Sequence, residues 1–115
     1  MAQQPAGQDP EVYMPRGFGT TATGDDFVDD VVEVVWSKGK PEPPHPLTVH
    51  RRDMCGAPIQ RYSYGTETLY GWEIDHIKPV SQGGTDDLEN LQPLQWVNNR
   101  NKSDNWPRWQ CKRTS

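Results

Sequence analysis

Apolar positions along the chain cluster in a few short runs set between long polar stretches. In FVDDVVEVVW (27–36), Phe27, Val31 and Val35 recur at helical spacing, yet five valines and a tryptophan in ten residues favour a strand over roughly Val31 to Ser37. A short strand or turn is expected around Cys55–Arg61, then a loop near Gly65. WEIDHIKPV (72–80) reads as the end of a strand running from Tyr70 to Ile77, interrupted by Pro79. SQGGTDDLEN is a loop of turn formers. The final run, LQPLQWVNNRNK, begins with a brief apolar segment and becomes helical from about Leu94 to Lys102, with Pro93 tolerated in the first turn.

Composition changes this picture at the N-terminus. Residues 1–26 are rich in Gln, Pro, Gly, Thr and Asp without apolar periodicity, so they are expected to form a disordered tail. Residues 27–47 then hold the strand and a Pro-rich, semi-rigid connection, KGKPEPPHP; 48–105 form the compact domain, and 106–115 a basic, aromatic C-terminal tail. Eight acids against three bases give residues 1–47 a net charge of −5, whereas nine bases against eight acids leave 48–115 at +1. The acidic part suits a protein partner; the basic excess, small as it is, lies where the chemistry falls.

No run approaches the ~20 apolar residues of a membrane span, and MAQQPAGQDP lacks the basic and apolar regions of a secretory signal. A cytoplasmic protein is expected. Cys55 and Cys111 have no C-x-x-C companion, which excludes a structural zinc ribbon and favours two reduced thiols over a disulfide.

The chemistry centres on Asp75 and His76. Neighbours on a regular strand face opposite sides, so the pair serves one site only if the strand ends there. At helical spacing Gln95, Asn99 and Lys102 share a face. Packed against the strand end, that face would let Asp75 and Asn99 offer oxygen ligands to one hard cation, while His76 takes a proton from water. That combination suits phosphodiester hydrolysis.

The stretch GWEIDHIKPVSQGGTDDLENLQPLQWVNNRNKSD resembles the HNH endonuclease family. Asp75-His76, Gly83-Gly84, Asn90-Leu91-Gln92-Pro93-Leu94 and Asn99-Arg100-Asn101-Lys102 carry the resemblance. It implies an α+β fold, a small ββα-metal core with the N-terminal strand and tail as additions. It also implies a DNA endonuclease that leaves a 5′-phosphate and a 3′-hydroxyl. By the same resemblance His76 is the general base, Asn90 holds the loop that orients it, and Asp75 and Asn99 bind one divalent cation, Mg²⁺ or Mn²⁺. Lys102, with Arg100 and Lys78, would contact nucleic acid. Without a zinc ribbon, the scaffold would rest on Trp36, Tyr64, Trp72, Ile74, Leu91, Leu94 and Trp96.

Other residues have plainer explanations. Glu73 shares a strand face with Asp75 and suits a salt bridge to Arg51, Arg52 or Arg61 at least as well as a role near the cation. Asp86 and Asp87 read as loop carboxylates, and His45 and His50 have no partner in register. Arg108, Lys112 and Arg113, with Trp106 and Trp109, are equally a solvated tail or a surface that tracks a nucleic-acid backbone. The rival to an enzyme is a catalytically idle nucleic-acid-binding module on the same scaffold, which would be expected to have lost Asp75, His76 or Asn99.

Overall fold

The computed structural model describes residues 16–115; the expectation for residues 1–15 lies outside them. Two helices sandwich a two-stranded antiparallel sheet, and a three-stranded antiparallel sheet lies beside it. In chain order the elements are α1 (Asp29–Trp36), β1 (Lys40–Pro41), β2 (His50–Arg52), β3 (Pro58–Gln60), β4 (Trp72–His76), β5 (Leu91–Gln95) and α2 (Trp96–Lys102). This is an α+β fold.

The strand expected over Val31–Ser37 is instead the helix α1. Helical spacing turns Val32, Val35 and Trp36 to one side, where they pack with Phe27 against β4 and β5. Asp29 and Asp30 occupy the first turn, where carboxylates suit the positive end of the helix dipole. Periodicity thus outweighs the β-branched composition. Trp36 packs on Trp72 with ring centroids 5.4 Å apart, and its indole N–H donates to the carbonyl of Leu47.

In the β4–β5 ladder, Trp72 faces Gln95, Ile74 faces Pro93, and His76 faces Leu91. Trp72, Ile74 and Leu91 join the α1 core. Glu73, Asp75 and Leu94 alternate to the other face, toward α2. Pro93 is a strand residue and not the first turn of a helix. The flanking bonds from Ile77 N to Asn90 O and from Trp96 N to Gly71 O make Ile74 and Pro93 a non-hydrogen-bonded pair, so the missing N–H costs no ladder bond. The α2 helix starts only at Trp96, and Gln95 caps it by accepting from Val97 N–H.

Asp53 joins the two sheets. One carboxylate oxygen accepts from Cys55 and Ala57 N–H, and the other from Gln95 N–H and the Asn98 amide, so this fully buried carboxylate is saturated with donors.

Two further expectations change, for the cysteines and for the C-terminal segment. Cys55 and Cys111 are not free thiols: they form a disulfide with Cα atoms 5.7 Å apart. Residues 106–115 are pinned beside α2, since Asn98 accepts from the backbone N–H groups of Lys112 and Arg113 and donates to the carbonyl of Arg113. Disulfides are uncommon in reducing compartments, so the cross-link does not favour the cytoplasmic expectation. No helix among the described residues is long and apolar enough to cross a membrane.

Candidate active site

The β4 strand ends at His76, and at that end Asp75 and His76 line one cavity of about 250 Å³ together with Asn99. The opposite facing of neighbouring strand residues is resolved in this way: the cavity wraps the strand terminus and receives side chains from both faces. All three residues are buried. Arg16, Gly19 and Asp104 are also among its lining residues.

The loop after β4 is folded back by two glycines and Asn90. Gly83 adopts the left-handed region at φ 95°, and a Cβ on Gly84 would stand 1.7 Å from the carbonyl oxygen of Lys78. Asn90 clamps the same turn: its amide oxygen accepts from Lys78 N–H at 2.9 Å, and its amide nitrogen donates to the carbonyls of Lys78 and Thr85. Asn90 therefore lies outside the cavity wall and acts on the backbone that carries His76.

Asp75 is held at both oxygens. Gln92 donates to Oδ2 at 2.9 Å, and the ammonium of Lys102 sits 3.1 Å from Oδ1 while also donating to the carbonyl of His76 at 2.9 Å. Burial raises the Asp75 carboxyl above its ordinary value, with Gln92 and Lys102 opposing the shift. Asn99 donates from Nδ2 to Glu73 Oε1 at 2.8 Å, and the other Glu73 oxygen pairs with Arg100 at the same distance. Glu73 thus bonds to α2, and not to Arg51, Arg52 or Arg61 as its alternatives suggested. Arg61 pairs with Glu33 instead.

Three cations were expected to meet nucleic acid, and two are engaged elsewhere. Lys102 is only 1% exposed, so its ammonium is an internal counter-charge and not a surface phosphate contact. Arg100 pairs with Glu67 and Glu73 and lies over the rings of Phe18 and Trp96. Lys78 is half-buried, with its ammonium 5.4 Å from the Trp106 ring centroid. Gln95 shares no part of the site, because its amide caps α2 and reaches toward Leu69.

Two features escaped the sequence reading. Asp86 Oδ1 lies 2.8 Å from His76 Nε2, so this is no idle loop carboxylate. Residues 16–26, expected as tail, are folded against the site: Ala22 N–H donates to Asp86, and Gly19 packs on Glu73, where a Cβ would come within 3.2 Å of the Glu73 Cβ. A signal for Asp86 existed in Gly83-Gly84, which turns the loop back toward the strand end; none existed for residues 16–26.

The model of the HNH endonuclease family matches residues 53–105. The matched segment begins just after β2, so α1, β1 and β2 precede the part of the chain that is similar to that family. Within it, β4, β5 and α2 are consistent with the two strands and helix of an HNH core, and the match suggests a nuclease-type function. No curated protein and no solved structure matches the chain.

Proposed function

We propose that this protein is an endonuclease that hydrolyses DNA phosphodiester bonds with one divalent cation, Mg²⁺ or Mn²⁺, and His76 as general base. The observation that carries the reading is the convergence of Asp75, His76 and Asn99 on one cavity.

The donor set fits a hard cation. Asp75 and Asn99 provide oxygen atoms, each Asp75 oxygen retains a lone pair beyond its hydrogen bond, and the Asn99 nitrogen is committed to Glu73, which leaves its amide oxygen as the acceptor. Among the described residues no three His, Cys, Asp or Glu side chains cluster as a richer site, so the cation would keep several waters, as Mg²⁺ commonly does. When bound, the cation supplies positive charge against the charge that develops on the phosphate.

The remaining chemistry belongs to the chain. His76 accepts a proton from water as the water oxygen bonds to phosphorus. The bond from phosphorus to the 3′-oxygen breaks, and that oxygen takes a proton from solvent, giving a 5′-phosphate and a 3′-hydroxyl. Asn90 fixes the turn carrying His76, and Lys102, with Gln92, favours the ionised form of Asp75 against the effect of burial.

The test compares relaxation of supercoiled plasmid in Mg²⁺, Mn²⁺, Zn²⁺ and EDTA for the wild type and Asp75→Ala. Cleavage by the wild type in Mg²⁺ or Mn²⁺, absent in EDTA and in the variant, is expected. Cleavage that persists in EDTA, or in Asp75→Ala at the wild-type rate, contradicts the proposal.

A further inference from the structure

Resting on the reading of His76 as general base, we infer that Asp86 is the positioning residue for that base: it fixes the imidazole tautomer and ring orientation from outside the reacting centre. His76 is only 4% exposed, and Nε2 is 2.8 Å from Asp86 Oδ1. An ionised carboxylate only accepts hydrogen bonds, so this partner requires the proton of a neutral imidazole to reside on Nε2. The lone pair then lies on Nδ1, since the ring's hydrogen bond to another described residue is made from Nε2. A base needs that lone pair to receive a proton, and the opposite tautomer would present an N–H donor instead.

Asp86 is itself held in place. Ala22 N–H donates to Oδ1 at 3.0 Å and to Oδ2 at 3.2 Å, so residues 16–26 orient the carboxylate that orients the imidazole. On the other flank the His76 ring is 6.0 Å from the Phe27 ring, which limits its swing. The chain of contacts from Ala22 through Asp86 to His76 begins outside the segment that matches the family model. The folded N-terminal segment is therefore part of the catalytic apparatus in this protein.

The experiment follows both turnover and the His76 ring on the full chain. Plasmid nicking is measured in Mg²⁺ for the wild type, His76→Ala, Asp86→Ala and Asp86→Glu, and ¹⁵N–¹H correlations of the His76 ring are recorded at a pH where imidazole is neutral. Asp86→Ala is expected to lose about ten- to a hundredfold in kcat with KM within about twofold, as for loss of an orienting partner behind a catalytic group. Its His76 signal should change from a single Nε2–H tautomer to a mixture. Asp86→Glu, whose carboxylate is borne on an exposed loop and can reach back to the ring, should restore both. Wild-type kcat in Asp86→Ala, or an unchanged tautomer whatever the rate, overturns the inference. Wild-type nicking by His76→Ala would instead refute the general-base reading, and the ring signal, which needs no turnover, still judges Asp86 separately.

Discussion

The ammonium of Lys102 lies 3.1 Å from Oδ1 of Asp75, with both side chains inside the protein. The last turn of α2 is thereby bonded to the strand that carries the site. Removing one member of a buried ion pair leaves the other charge without compensation, at a cost of about 3–5 kcal/mol. Lys102→Ala should therefore lower unfolding stability by about that amount in urea titration, which a surface phosphate contact would not do. A loss confined to salt-dependent DNA binding, with stability intact, would contradict this placement.

Glu73 links Asn99 to Arg100 and thus sets which atom of the Asn99 amide faces the cavity. With Glu73→Ala the amide loses its tether. Second partners of this kind commonly contribute ten- to a hundredfold to metal affinity. Calorimetric titration with Mn²⁺ should show affinity reduced by roughly that factor while the variant stays folded, and an unchanged affinity would remove Glu73 from the site.

The disulfide from Cys55 to Cys111 closes a long loop, with a sequence separation of 56. Loop-closure entropy for that length corresponds to about 4 kcal/mol. Reduction by dithiothreitol, or the double substitution Cys55→Ser with Cys111→Ser, should lower stability by about 2–4 kcal/mol. The loosening should begin in residues 106–115, read as faster amide exchange at Lys112 and Arg113, whose N–H groups bond to Asn98.

Those cysteines also show where sequence reasoning stops. The β4 strand, the Gly83-Gly84 turn, Asn90 and the Asn99 face of α2 are legible because they lie within one continuous stretch and obey local periods. Pairing of Cys55 with Cys111 depends on how the whole chain folds, and nothing local distinguishes two distant thiols from a cross-link. Val31–Ser37 failed for a different reason: valine density suggested a strand, although Phe27, Val32, Val35 and Trp36 pack to one side only as a helix. Residues 16–26 have too few apolar groups to announce order. Their anchors are an N–H on Asp86, a glycine against Glu73 and Phe18 beneath Arg100, contacts that exist only once the site is built.

Glu33 and Arg61 supply a pH-dependent link between α1 and the end of β3. The hydrogen bond from Arg61 holds the Glu33 carboxyl below its ordinary value. A folded-state pKa below the unfolded one stabilises the protein above the unfolded pKa, and the contribution disappears as pH falls through the folded value. Because Glu33 is 58% exposed, the contribution at neutral pH should stay below about 1 kcal/mol. Thermal unfolding of Glu33→Gln should therefore show a small deficit at neutral pH that vanishes in acid; a deficit that grows in acid would contradict the sign.

The most direct test of the central claim is the rate at which His76→Ala nicks supercoiled plasmid in Mg²⁺, with near-ultraviolet circular dichroism showing that its tertiary packing is retained. Loss of a general base should reduce the rate by about 10²–10⁴-fold relative to the wild type. A folded His76→Ala protein that nicks plasmid at the wild-type rate would contradict the assignment of hydrolysis to the cavity at the end of β4.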